Sequence, residues 1–251
     1  VAGDVILSVL AHPDDAEFLC AGTLLRLARA HAWRVHIASM TPGDCGSAEL
    51  PGDQIAAVRR EEGARAARLA GGEFHCVGER DLCVFYAEGP LERVTRLLRQ
   101  VRPRVVLTHS PADYHLDHET TATLVRAAAF ASAVPNFFAD RGMPPALPHV
   151  PHLYYCDALE GKDALGREVA PDFRIDVSGV IDAKADMLAA HASQRDWLLK
   201  HHGMDHYLQS MRDWCAHRGS QAGVAFAEGF RQHRGHAYPQ DNLLGAVLGA
   251  V

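Results

Sequence analysis

The chain has 251 residues, 48% of them hydrophobic and 22% charged, with a formal net charge of −6, a globular composition that excludes a fibre, a collagen-like chain or extensive disorder. The acidic balance argues against nucleic acid as a partner, and the apolar stretches stop well short of the ~20 residues a membrane span needs. The six cysteines, Cys20, Cys45, Cys76, Cys83, Cys156 and Cys215, form no C-x-x-C pair, and no basic leader precedes an apolar core, so the chain reads as cytoplasmic with reduced thiols.

Val5 to Leu10 is a short apolar run that reads as a buried parallel strand stopping at Pro13. Ala16 to Ala32 is amphipathic at helical spacing, and Arg34 to Met40 is a second strand closed by the loop signal Thr41-Pro42-Gly43-Asp44. Gln54 to Ala70 has helical periodicity and ends at Gly71-Gly72, a C-terminal cap. A strand over Glu73 to Val77, a helix over Leu91 to Gln100, a strand over Arg104 to Thr108 and a helix from about His118 to Ala133 follow. This alternation predicts an α/β fold, a doubly wound, mostly parallel Rossmann-like sheet flanked by helices. Right-handed crossovers would gather the carboxyl ends of its strands on one edge, where such sheets bind ligands.

The segment from Val134 to Pro151 is proline-rich and predicts a loop or lid. Strands over His152 to Ala158 and Phe173 to Val177, helices over Val180 to Ser193 and Asp205 to Ala216, and a mixed tail would form a smaller C-terminal α+β portion. No repeat or linker divides the chain, so one domain spanning 1–251 is expected, with its core at about 1–133.

The first strand runs into Ala11-His12-Pro13-Asp14-Asp15-Ala16-Glu17, where a nucleotide-binding sheet would carry G-x-G-x-x-G. Two adjacent carboxylates would repel a phosphate there, whereas His12 and Asp15 offer nitrogen and oxygen to a cation. By itself this fragment reads equally as a helix-capping turn. A second fragment changes the weighing: Thr108-His109-Ser110-Pro111-Ala112-Asp113-Tyr114-His115-Leu116-Asp117-His118 follows another strand and reaches the same sheet edge. It can supply a third ligand. The zinc-protease pattern H-E-x-x-H fails, because Ala122 stands where the second histidine belongs. A site with three protein ligands keeps positions open for water and substrate, which is a catalytic arrangement.

The two fragments resemble the metal motifs of the LmbE/PIG-L family of zinc-dependent N-acetylglucosaminyl deacetylases. Thr41-Pro42-Gly43-Asp44 with Gly46, Val58-Arg59-Arg60-Glu61-Glu62, His191-Ala192-Ser193-Gln194 and Ala227-Glu228-Gly229-Phe230 support the resemblance, and Leu116 departs from it where proline is usual. It implies that His12, Asp15 and His118 hold Zn²⁺, with Fe²⁺ able to fill the same ligands. It implies that Asp14 is the general base for a water at the metal, and that His115, oriented by Asp117, stabilises the tetrahedral oxyanion or protonates the departing amine. The implied substrate is a small N-acyl amino sugar or glycoside, and the implied assembly a homo-oligomer, a trimer or hexamer.

Arg59 and Asp81 are candidate sugar contacts. Arg59 reads otherwise as a surface ion pair with Glu62, and Asp44 as an Asx-type turn. His191 and Gln194 are expected to hold the C-terminal helix near the site. His233 and His236 read as solvated tail histidines, and Trp33, Trp197 and Trp214 as core or interface residues. Two other functions compete: an amidase of the same chemistry acting on a thiol conjugate or natural-product scaffold, and a metal- or sugar-binding protein without turnover.

Overall fold

The structure, a computed structural model, describes residues 3–195 and 206–251. Strand β1 (Val5–Leu10) is buried along its whole length, as a run of apolar residues without alternation requires of a strand covered on both faces. Helices α1 (Asp15–Leu19) and α2 (Ala21–His31) lead to β2 (Arg34–Ser39), and α3 (Gly52–Leu69) leads to β3 (Glu73–Cys76). Helix α4 (Glu88–Val101), β4 (Val105–Thr108) and α5 (Leu116–Ser132) complete the alternating half. Strands β5 (His152–Cys156) and β6 (Phe173–Asp176), helices α6 (Ile181–Ala189) and α7 (Tyr207–Ser220), strand β7 (Ala227–Gln232) and helix α8 (Leu243–Leu248) follow.

All seven strands join one sheet in the order β3-β2-β1-β4-β5-β7-β6. The pairings β1–β2, β1–β4, β2–β3 and β4–β5 are parallel, and β7 lies antiparallel to both β5 and β6. The C-terminal strands therefore extend the main sheet and form no separate layer. Alternate residues of β1 feed two cores: Ile6 and Leu10 pack with Leu24, Leu25 and Leu27 of α2, Met187 of α6 and Leu244 of α8 on one face. Leu7 and Val9 pack with Val94 and Leu98 of α4 and with Leu124 and Val125 of α5 on the other. Among the described residues no helix is long and apolar enough to cross a membrane.

The chain winds outward from β1 to β3 and then returns to the other side of β1 as β4, so the strand order reverses between β1 and β4. A crevice opens at the carboxyl ends of those two strands, the topological switch point at which open α/β sheets bind ligands.

Three expectations change. The helix expected over Ala16 to Ala32 is two helices, broken at Cys20. The cause lies in β7: the Glu228 carboxylate accepts from the amides of Gly22 and Thr23 at 2.8 Å each and so starts a new helix there. Strand β7 itself was part of the tail read as mixed.

The segment 134–151 is not a lid. It leaves the C-terminus of α5 and enters the start of β5, which puts it at the amino edge of the parallel strands, away from the crevice. There Arg99 donates to the carbonyls of Ala131, Ser132, Val134 and Pro144 and ties it down. Trp197 and Asp205 lie outside the described residues. The cysteines among the described residues are free, with Cys20, Cys156 and Cys215 buried.

Candidate metal and catalytic site

His12 follows β1 by two residues, and Asp15 opens α1. His12 Nδ1 lies 3.3 Å from Asp15 Oδ2, and the His12 amide donates to the same oxygen at 2.7 Å. His118, in the first turn of α5, brings Nε2 to 3.7 Å from that oxygen. One ligand atom from each of His12, Asp15 and His118 thus lies within 4.8 Å of the others.

The far side of each ring is also held. His12 Nε2 meets Asp117 Oδ2 at 3.3 Å, and His118 Nδ1 meets Asp113 Oδ1 at 3.0 Å. Asp113 and Asp117 are both buried. An imidazole backed by a carboxylate, with its other nitrogen facing a shared oxygen, is the arrangement that histidine metal ligands adopt. The residues therefore fit a divalent cation by donor chemistry: two nitrogens and one oxygen, each oriented from behind.

Electrostatics agree with a concentrated negative centre. Burial works against ionisation of Asp15, but the imidazoles of His118, His109 and His12 outweigh it and hold its carboxyl well below the ordinary range. Burial likewise opposes protonation of His12, yet Asp117 and Asp15 raise it to about 10. A metal taking this place displaces that proton.

His109, directly after β4, is buried and stacks on His118 with ring centroids 3.8 Å apart and planes at 7°. Its Nε2 accepts the Ala11 amide at 2.9 Å, and burial, with His118 beside it, lowers its pKa to about 4. It packs flat against the His118 ring. His109 and Asp113 stand within the second sequence fragment, but nothing in residue type alone separated them from His115 and His118.

Asp14 sits between His12 and Asp15 in the chain with φ 104°, a left-handed conformation that side chains rarely adopt and that concentrates at functional sites. Its Oδ1 accepts from Arg59 Nη2 at 3.2 Å, and its Oδ2 accepts from the Tyr207 hydroxyl at 2.6 Å. Burial raises the Asp14 carboxyl above the usual carboxylate range; Arg59 opposes that effect and Asp15 adds to it. Arg59 is buried and also donates to the Pro13 carbonyl. It makes no surface pair with Glu62, whose carboxylate instead takes the amide and hydroxyl of Ser193. Gly43 and Gly46 are glycines because a Cβ at either would collide with the Arg59 guanidinium.

Tyr207, at the start of α7, had no sequence signal. The buried His191 Nε2 lies 3.3 Å from Glu17 Oε2. Burial opposes protonation of His191, but Glu17 and then Asp14 raise its pKa. Gln194 donates to the Gly46 carbonyl at 3.0 Å and borders the cavity.

His115 caps the N-terminus of α5, where its Nδ1 accepts the Asp117 amide at 3.1 Å. Burial, with His118 and His12 nearby, lowers its pKa. With Nδ1 accepting that amide, the neutral form of the ring carries its single proton on Nε2. Asp117 thus orients His115 through its backbone, while its carboxylate serves His12 and accepts the Leu82 amide at 2.7 Å. Asp81 is buried and does not line the cavity; its carboxylate accepts the Cys45 amide at 2.9 Å, and its amide donates to Asp44 at 2.8 Å. His233 packs against Tyr155 and Tyr238 instead of entering the site, and His236 is exposed.

His12, Asp14, Asp15, Arg59, His115 and His118 open into a cavity of about 860 Å³. Its outer wall carries Phe18, Tyr114, Leu159, Tyr207 and Trp214. The combination of a switch-point crevice, a convergent His/Asp triad and an adjacent buried carboxylate defines a metal-hydrolase type of site.

Comparison with known proteins agrees with this class. Residues 7–129 match the family model described as PIG-L, GlcNAc-PI de-N-acetylase. A 1D-myo-inositol 2-acetamido-2-deoxy-alpha-D-glucopyranoside deacetylase from Rhodococcus opacus is 30% identical, over 75% of this chain and 81% of that protein. The chain belongs to the PIG-L (LmbE) deacetylase family. Among solved structures, the N,N'-diacetylchitobiose deacetylase of Pyrococcus horikoshii is similar with a TM-score of 0.77 and 25% identity, over 96% of this chain and 89% of the other. The 4-carboxy-2-hydroxymuconate hydratase GalB of Pseudomonas putida shares the fold with a TM-score of 0.78 at 22% identity, over 96% and 99% of the two chains. The fold therefore hosts more than one reaction, and the reaction must be argued from the site.

Proposed function

We propose that this chain is a metal-dependent hydrolase that removes the N-acetyl group from an N-acetylglucosamine-type sugar or glycoside. The observation that carries the reading is Asp14, a carboxylate outside the ligand set, fixed by Arg59 and Tyr207 and adjacent in sequence to the ligand Asp15. A protein that only bound metal or sugar would need no such group. The names of the Rhodococcus and Pyrococcus relatives, both deacetylases of acetamido sugars, support the same substrate class.

His12, Asp15 and His118 would hold the ion, Zn²⁺ or Fe²⁺ by donor type. When bound, such an ion polarises the acyl carbonyl and lowers the pKa of water toward ~7. Asp14 takes the proton from the attacking water, a role its raised pKa suits. It then hands that proton to the departing amine nitrogen. His115, with Nδ1 committed to the Asp117 amide, offers Nε2–H to the developing oxyanion. Arg59 acts by holding Asp14, and Asp81 by holding the 44–46 loop whose Gly46 packs on Arg59. The cavity lies toward the upper end of the ~300–1,000 Å³ range of ligand sites, and Trp214 and Tyr114 line it. That size favours a glycoside over a free monosaccharide, and it equally admits an N-acyl group on a larger scaffold.

Acetate release from N-acetylglucosamine, its oligomers and its inositol and malate glycosides tests the reading. Asp14→Ala is expected to lower turnover by roughly 10²- to 10⁴-fold while the metal content measured by atomic emission is unchanged. Full turnover by Asp14→Ala would remove the general base from the account.

A further inference from the structure

A second cluster of metal-ligating side chains stands apart from the crevice, at the free edge of the sheet. Strand β3 ends the sheet order, and among the described residues only β2 pairs with it. Glu73 and His75 are two residues apart on β3 and so face the same side of the sheet. His36 on β2 stands in register with Glu73. His36 Nδ1 and His75 Nε2 are 3.0 Å apart, and His36 Nδ1 lies 3.9 Å from Glu73 Oε2. The two rings lie nearly coplanar, at 22°, with centroids 5.2 Å apart. Each therefore aims a nitrogen at the other across the strand pair. One atom from each of the three side chains falls within 4.8 Å of the others.

An imidazole pair in this geometry shares one proton. The same gap suits a transition-metal ion: two nitrogens each ~2.0–2.1 Å from a tetrahedral Zn²⁺ stand about 3.3–3.4 Å apart. The nitrogens need to separate by a few tenths of an ångström, and the two rings to turn from facing each other to facing the ion. The Glu73 side chain is 74% exposed and free to close on the ion, while the His36 side chain is 12% exposed and already in place. Two imidazoles and one carboxylate form a borderline-soft donor set that prefers Zn²⁺, Cu²⁺ or Ni²⁺ over Mg²⁺ or Ca²⁺.

We infer that His36, Glu73 and His75 form a second divalent transition-metal site, which clips the edge strand β3 to β2. It has no part in hydrolysis, since none of the three residues lines the cavity. Its effect is on the sheet: an ion bound across the outermost strand pair stabilises the folded state by RT ln(1 + L/Kd), with L the free ion concentration.

The test is equilibrium dialysis against Zn²⁺ with metal counted by atomic emission. The wild-type protein is expected to hold two equivalents, and His75→Gln one, with its acetate-releasing activity and thermal midpoint in chelator unchanged. Glu73→Gln, at an exposed position that folding does not depend on, should lower the affinity for the second equivalent by roughly tenfold or more, the size of effect produced by loss of even an outer-shell partner. In His12→Ala, where the crevice triad is broken, Zn²⁺ should still raise the thermal midpoint, and the rise should vanish in His12→Ala/His75→Gln. A wild-type protein holding a single equivalent that His12→Ala abolishes overturns the inference. So does a second equivalent that survives both His75→Gln and Glu73→Gln at undiminished affinity.

Discussion

At Asp14 three demands meet in one residue: a left-handed backbone, a carboxylate held at both oxygens, and a place next to a ligand carboxylate. Asp14 and Asp15 carry like charges, which the flanking cations Arg59 and His191 moderate on one side and the imidazoles on the other. Tyr207 is the partner that can be removed with least disturbance. Tyr207→Phe deletes one hydrogen bond to a charged group, worth about 1.5–3 kcal/mol. We expect kcat to fall by roughly tenfold or more, with little change in KM or metal content, in steady-state kinetics of acetate release. An unchanged kcat would show that Arg59 alone positions Asp14. The two His-Asp motifs were legible in the sequence because their residue types are rare together and each stands at a strand end. Tyr207 was not, because it reaches Asp14 from 193 residues away and nothing local marks it.

Among the elements, β1 and β4 were legible for a simple reason: a strand covered by helices on both faces reads as an apolar run buried along its length. Strand β7 escaped because its sequence, Ala-Glu-Gly-Phe-Arg-Gln, alternates in no apolar pattern. Its polar centre, Glu228, is buried, and what satisfies it comes from elsewhere: Lys184 of α6 at 2.6 Å and the first amides of α2. Glu228→Ala would leave Lys184 buried without its counter-ion and uncap α2, a loss of about 3–5 kcal/mol. A marked drop in thermal midpoint is expected, and a change within error would mean that the pair is not needed. The segment 134–151 tests position against composition. Its prolines suggested a lid, but its anchor is Arg99 at the far edge of the sheet. Arg99→Ala should lower stability by about 1–3 kcal/mol and leave kcat/KM unchanged, whereas a fall in kcat/KM at full stability would return the segment to the site.

On the scale of the whole molecule, sequence alternation was enough to gather the carboxyl ends of the strands, and with them the two His-Asp motifs, on one edge; that β1 and β4 are neighbours at a switch point is shown by the strand order of the folded sheet. Alternation could not show that the C-terminal half closes the same sheet and adds Leu159, Tyr207 and Trp214 to the cavity wall, since those contacts join residues far apart in the chain. The closure has a pH consequence through His233, which hydrogen-bonds Tyr155 across β5 and β7. Burial, with Arg126 beside it, lowers the pKa of His233 below 6.5. The unfolded chain then takes up a proton first as pH falls. The contribution of neutral His233 is complete above about pH 6.5 and is lost as pH drops from there toward the depressed folded value. His233→Gln should flatten the pH dependence of stability in that window, as read from denaturant midpoints; an unaltered slope would assign the acid sensitivity to other groups.

In the proposed function His12, Asp15 and His118 hold a metal without which the amide is not cleaved. This requirement is tested most directly by assaying acetate release from N,N'-diacetylchitobiose with chelator-stripped protein, before and after Zn²⁺ is restored. Negligible release from the stripped protein and recovery on adding the metal are expected. Full-rate release from metal-free protein would contradict it.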